Sequence, residues 1–134
     1  MFVDASAMVA IIAREPEAEA LTRRLEEAPV RYTSAVAVLE TVMALRRLGA
    51  ASAQQAERLV RQLLQSAEIE EVAIGSQESM AAVTAYARYG KGQGHPAQLN
   101  LGDCFAYACA RTRNVPLLFV GNDFPQTDIP DARA

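Results

Sequence analysis

Lysine is nearly missing from this chain, histidine occurs once, and positive charge of any kind is in deficit. Of 13 cationic residues only Lys91 is Lys and the rest are Arg, against 16 Asp and Glu, for a formal net charge of −3. That balance excludes a global basic field, so a nucleic-acid partner would have to be gripped locally. The Arg bias could serve forked recognition of phosphate but reads chiefly as genome composition. With His95 alone, and with Cys104 and Cys109 five apart in one apolar helical run, the chain spells neither a zinc pair nor a redox pair. The thiols read as buried and free in a reducing compartment. With a single His and both thiols set in an apolar helix, a Cys-His or Ser-His-Asp mechanism has little support, and no phosphate-cradling P-loop is present. No apolar run approaches the roughly 18 residues of a membrane helix. The apolar start, Met1 to Ala13, carries Asp4 and lacks the basic region of a secretory signal. The expectation is a soluble, cytosolic protein. No repeat, low-complexity stretch or linker interrupts it, so residues 1–134 read as one domain with a core large enough to fold without staples.

What is present alternates. Phe2-Val3 reads as a strand, and Ser6 as the cap of a helix carrying Met8, Val9, Ile11 and Ile12. Pro16 stops that helix and suits the first turn of a second, which keeps Leu21 and Leu25 on one side and ends near Pro29. Val30 to Thr33 reads as a strand, Ser34 as the cap of a helix over 35–48, and Gly49 as its C′ residue. Ser52-Ala53-Gln54-Gln55 matches a capping box, followed by an apolar stripe of Leu59, Val60, Leu63 and Leu64. Ile69 to Ile74 reads as a strand, Gly75-Ser76 as the start of a helix to Gly90, and 90–98 as a glycine-rich loop. A helix from about Gly102 to Arg113, a strand from Leu117 to Val120 and a short edge strand around Ile129 complete the chain. Strands alternating with helix pairs predict a three-layer α/β/α sandwich around a parallel sheet of four or five strands.

Four acids stand out because no cation accompanies them. In a parallel sheet, ligands bind outside the carboxyl ends of the strands. Asp4 directly follows the first strand, Asp123 lies just past the last, and Asp103 opens the helix leading into that last strand. All three fall on one rim. Glu40 is the only charge between Ala35 and Leu45, and a carboxylate on so apolar a helix needs compensation, for which a bound cation is the plain choice. Taken singly each has a structural role open to it: Asp4 could cap the first helix, Asp103 could close a capping box with Asn100, and Asp123 could form an Asx turn after Gly121. Together they repel, raise one another's pKa values and suit hard divalent ions, magnesium or manganese rather than zinc. The chemistry that follows is metal-assisted hydrolysis of a phosphodiester. Ser6 reads chiefly as a cap, with orientation of a metal-bound water as its second reading, and His95 as a surface residue.

Phe-Val-Asp-Ala-Ser-Ala-Met-Val-Ala-Ile at 2–11, a lone Glu40 after Thr-Ser-Ala, Tyr-Gly-Lys-Gly at 89–92, His-Pro-Ala-Gln-Leu-Asn-Leu-Gly-Asp-Cys at 95–104 and Pro-Leu-Leu-Phe-Val-Gly-Asn-Asp-Phe at 116–124 together resemble the VapC toxins. These are PIN-domain ribonucleases of bacterial toxin-antitoxin pairs, and the resemblance runs over nearly the whole chain. It implies an acidic site of Asp4, Glu40, Asp103 and Asp123 that binds magnesium or manganese and cuts RNA. Asp4 and Asp103 would be the firmest ligands, with Glu40 and Asp123 completing the shell and Ser6 in support. It also implies a homodimer and a small antitoxin that neutralises the site, commonly with a basic side chain. One departure is visible: where the family often carries Lys before Gly-Asn-Asp-Phe, this chain has Val120. Lys91, in its glycine-flanked loop, is then the candidate contact to RNA phosphate.

Two other readings use the same acids. A PIN fold that no longer cuts would bind a protein or RNA partner without turnover. A phosphoacceptor switch of the receiver type also gathers acids at strand ends, but it wants paired N-terminal acids and a lysine near the last strands, and here Asp4 stands alone.

Overall fold

Successive side chains of a strand point to opposite faces, and in this chain that alternation divides the core in two. The computed structural model describes residues 1–134. Four short parallel strands, β1 (Phe2–Val3), β2 (Tyr32–Ser34), β3 (Glu70–Val72) and β4 (Leu117–Leu118), form one sheet in the order β3-β2-β1-β4. Val3 and Leu118 face the core formed with α1 (Ala5–Ile12), α2 (Ala18–Glu27), α3 (Ala35–Arg47) and α4 (Ala53–Ser66). Phe2, Leu117 and Phe119 face the core formed with α5 (Ser76–Tyr89) and α6 (Leu101–Thr112). The result is the expected three-layer α/β/α sandwich. The register Phe2↔Leu117 and Val3↔Leu118 places β1 and the edge strand β4 level with each other. Their carboxyl ends therefore open on the same rim. No helix is long and apolar enough to cross a membrane.

Helix ends follow the local signals closely. Ser34 accepts from the Ala37 amide, Ser52 from the Gln55 amide and Asn100 from the Asp103 amide, each satisfying a first-turn donor that the helix leaves unpaired. Gly49 has φ of +111°, the left-handed conformation of a helix C′ residue. At α1 the expectation of a Ser6 cap is corrected. Asp4 is the cap, with extended backbone and its Oδ2 on the Ser6 amide, and Ser6 sits inside the first turn. Pro16 likewise precedes Glu17, the residue before α2, rather than entering the first turn.

Strands are shorter than their apolar runs, because a ladder lasts only while a neighbour runs beside it. The run Ile69 to Ile74 pairs with β2 over three residues, and the last strand stops at Leu118, leaving Phe119 and Val120 outside the ladder. Near Ile129 there is no fifth strand, only a single parallel bridge between Leu117 and Asp131. On α4 the buried stripe is Ala56, Val60 and Leu64, and Leu59 turns outward. Both cysteines are buried and free. His95 is not a plain surface residue: its Nδ1 accepts the Ala97 amide and its ring meets Tyr89 edge-on.

Phe119 links the fold to the loop beyond β4. It is fully buried, packs on Phe124 with ring centroids 5.1 Å apart, and carries the Arg133 guanidinium on its face. Phe119→Ala is expected to cost about 3–5 kcal/mol in denaturant unfolding. A loss below about 1 kcal/mol would show that this ring does not anchor the loop.

Candidate active site

The chain leaves β1, builds β2 and β3 on one side, and returns to place β4 on the other side of β1. The strand order therefore reverses between β1 and β4, the crevice where open parallel sheets bind ligands. Asp4 follows β1 at that point and Asp123 lies in the loop after β4. A relay of hydrogen bonds joins the two strand ends: the Ser6 hydroxyl donates to Asp4 Oδ2 at 2.6 Å and accepts the Val120 amide at 3.0 Å. Ser6 thus orients the Asp4 carboxylate and ties it to the segment leading to Asp123. Asp4 itself is only 5% exposed. Burial raises its pKa, against hydrogen bonds from Ser6 that lower it.

Asp103 takes both roles open to it. Its Oδ2 accepts the Asn100 amide at 3.1 Å while Asn100 Oδ1 accepts the Asp103 amide at 2.8 Å, a complete capping box. Its Oδ1 has no such duty and remains available. Burial pushes the carboxyl up to about 6, assisted by the charges of Asp4 and Asp123 and opposed by the Asn100 amide. Glu40, half-buried on α3, reaches over Gly102 at the start of α6, so close that a Cβ there would strike its carboxylate. Burial, then Asp4, then Asp103 push it up to about 7. Asp123 is exposed at the start of the 3₁₀ turn Phe124–Gln126, with no side-chain cap to make.

The four expected acids are therefore electrostatic neighbours: Glu40 feels Asp4 and Asp103, and Asp103 feels Asp4 and Asp123. All eight ion pairs of the chain lie elsewhere. No three His, Cys, Asp or Glu side chains converge tightly enough to enclose an ion by themselves. This donor set suits an ion that keeps part of its water shell, as magnesium does when one or two carboxylates hold it. Oxygen-only donors without ion-pair partners, of which Glu40 and Asp103 are pushed toward protonation chiefly by burial and further by neighbouring acids, fit a hard divalent cation.

The sequence profile of the PIN domain matches residues 1–130. A VapC ribonuclease of Rhizobium meliloti is 42% identical, spanning 96% of this chain and 98% of the relative. Ribonuclease VapC42 of Mycobacterium tuberculosis is 41% identical, spanning 98% of each. The chain is a PIN domain of the VapC family. A further relative, ribonuclease VapC of Mycolicibacterium smegmatis, is 41% identical over 96% of the chain.

Two contributions to the site of this PIN domain lie outside the sequence reading, which names Val120 only as the place of the family's frequent Lys. Val120 enters through its backbone amide, which no side-chain pattern signals. Gly102 enters through the side chain it lacks, and its one local signal is a glycine in the first turn of a helix. Lys91 is exposed beside a cleft of about 400 Å³ lined by Leu99, Asn100 and Leu101, and forms no ion pair.

A carboxyl whose pKa is higher in the folded chain than in the unfolded one destabilises the fold as pH rises between the two values, because the unfolded chain releases its proton first. For Glu40 that window runs from 4.5 to about 7. In chelator, the Tm advantage of Glu40→Gln over the parent should be small near pH 5, grow toward about pH 8, and then level off. An advantage that does not change with pH would show that Glu40 titrates as an ordinary exposed acid.

Proposed function

We propose that this PIN domain is a metal-dependent endoribonuclease, the toxin of a toxin-antitoxin pair, that hydrolyses RNA phosphodiester bonds with magnesium or manganese held by Asp4, Glu40, Asp103 and Asp123. The observation that carries the reading is a set of mutually repelling carboxylates, none of them ion-paired, at the switch point of a parallel sheet, in a chain whose relatives are named ribonucleases. A divalent ion held there would supply a water activated at neutral pH and charge stabilisation at the leaving oxygen. Asp4, held by Ser6, and the free Oδ1 of Asp103 are the firm ligands. Glu40 and Asp123 complete the shell directly or through water. Lys91, exposed on the cleft it shares with Asn100 and Leu101, is the candidate contact to a backbone phosphate.

Purified protein should cut RNA with magnesium or manganese and stop in chelator. Asp4→Asn and Asp103→Asn should each lose at least about a hundredfold in rate while remaining folded. Asn at 103 still carries an Oδ1 able to accept an amide, so stability should stay within about 1 kcal/mol of the parent. Cleavage that persists in both variants would remove these acids from the reaction. A silent binding module would instead hold its partner and show no metal-dependent turnover.

The proposal includes a cytoplasmic setting, a small antitoxin and a homodimer. An antitoxin that brings a basic side chain into the acids would supply the charge they lack. Met80, Val83 and Tyr86 of α5 and Leu101 of α6 are large apolar side chains left exposed, 72% in the case of Leu101, and a second copy would cover them. Light scattering should give twice the chain mass, and Val83→Glu should reduce it to that of a monomer. A monomeric parent at concentrations near 0.1 mM, on the order of weak-dimer affinities, would rule the homodimer out.

A further inference from the structure

Gly102 stands in the first turn of α6, where glycine serves a helix less well than alanine. Its backbone does not call for glycine either, since it is absent from the positive-φ residues of the chain. The demand comes from another helix. A Cβ built on Gly102 would lie 2.5 Å from Glu40 Oε1 and nearer still to Oε2, with the carboxylate carbon equally in the way. Real Cβ atoms do not approach so closely, so one group would have to leave. The backbone of α6 is fixed by the Asn100–Asp103 capping box, and the Glu40 carboxylate is held by neither a hydrogen bond nor an ion pair. The carboxylate is the part that moves.

We propose that Gly102 is a positioning residue of the acid site: its missing side chain lets the Glu40 carboxylate lie over the start of α6 beside Asp103 and Asp4, and any side chain at 102 drives it out. The metal-binding part of this inference rests on the reading of the acids as a divalent-ion site. Its steric part does not. The adjacent residue, Asp103, stays in place because its capping box does not involve the volume a Cβ would fill. The three heavy atoms nearest such a Cβ all belong to Glu40, so the effect of a methyl group at 102 falls on Glu40 first.

The test is a double-mutant cycle on the full chain with Gly102→Ala, Glu40→Ala and the pair. Titrated with manganese in a calorimeter, Gly102→Ala should weaken binding about tenfold, close to the effect of Glu40→Ala. In the Glu40→Ala background the same change should alter affinity by less than about twofold, because the carboxylate that meets that Cβ is gone. Melting in chelator gives a readout without metal. There, Gly102→Ala should raise Tm in the Glu40→Ala background, as helix propensity dictates, and fail to raise it in the parent. A Gly102→Ala that folds only together with Glu40→Ala would support the clash in the same sense. Parent-like manganese affinity for Gly102→Ala, or an equal loss in both backgrounds, would overturn the inference. A parent that binds no manganese overturns the metal reading and this inference's binding role with it, whereas additive Tm changes overturn the clash alone.

Discussion

The amide of Phe2 in β1 and that of Asp4 just after it donate to the carbonyls of Pro116 and Leu118 at 2.9 Å each. This ladder joins the beginning of the chain to its last strand, and the site depends on it. It sets the carboxyl ends of β1 and β4 level, which puts Asp4 beside Val120. The Ser6 hydroxyl then closes the gap between them. A short parallel ladder is not strong alone, and its protection comes from burial on both faces by the two halves of the core. The alternation of Phe2 and Val3 to opposite faces is what allows one two-residue strand to serve both.

Against that frame the acids divide into two kinds. Glu78, Asp128 and Asp131 are held below their usual range by partners: backbone amides and Arg113 for Glu78, Tyr107 with Arg111 and Arg88 against the cost of burial for Asp128, and Arg133 for Asp131. Asp4, Glu40 and Asp103 are pushed above it, burial being the largest cause in each. The fold therefore commands enough arginine to neutralise acids where they fasten α5, α6 and the C-terminal segment. It spends none on the switch point. Charge left unpaired at one place in a chain that pairs it elsewhere is a cost to stability, and such costs concentrate at functional sites.

Much of this was legible in the sequence, and the division between what was and was not is physical. The caps at Ser34, Ser52 and Asn100 and the C′ glycine at 49 are decided within four residues, so local pattern suffices. The layer order follows from the alternation of strands and helices, and the gathering of Asp4, Asp103 and Asp123 follows from the layer order. Strand lengths were overestimated because a ladder's extent belongs to the neighbouring strand. Ser6 reads as a cap on local pattern alone, but Asp4, two residues earlier, is the extended residue at the strand's end and takes the Ser6 amide, so the helix starts before Ser6. Glu40 was found through its apolar surroundings, whereas its resting place on Gly102 was invisible, since a clash between two helices leaves no trace in either one.

Val120 bears on how an acidic chain would hold RNA. Its side chain packs against the core of α1–α4, so an aliphatic residue there serves the fold. Beside it, Val120, Gly121 and Asn122 share a cleft of about 550 Å³ with Arg23, Arg24 and Arg133. Each of these arginines is already paired, with Glu19 at 3.1 Å, Glu27 at 3.0 Å and Asp131 at 2.8 Å. Exposed pairs of this kind contribute little to stability and exchange partners cheaply, but they leave the cleft with little net field. A nuclease of the proposed kind would then have Lys91 and the ions at its acids as its grip on phosphate near the cut. Binding of that form depends on few counterions released and weakly on salt. Selection among RNAs would fall to the shape of the strand presented to the acids rather than to a long basic track.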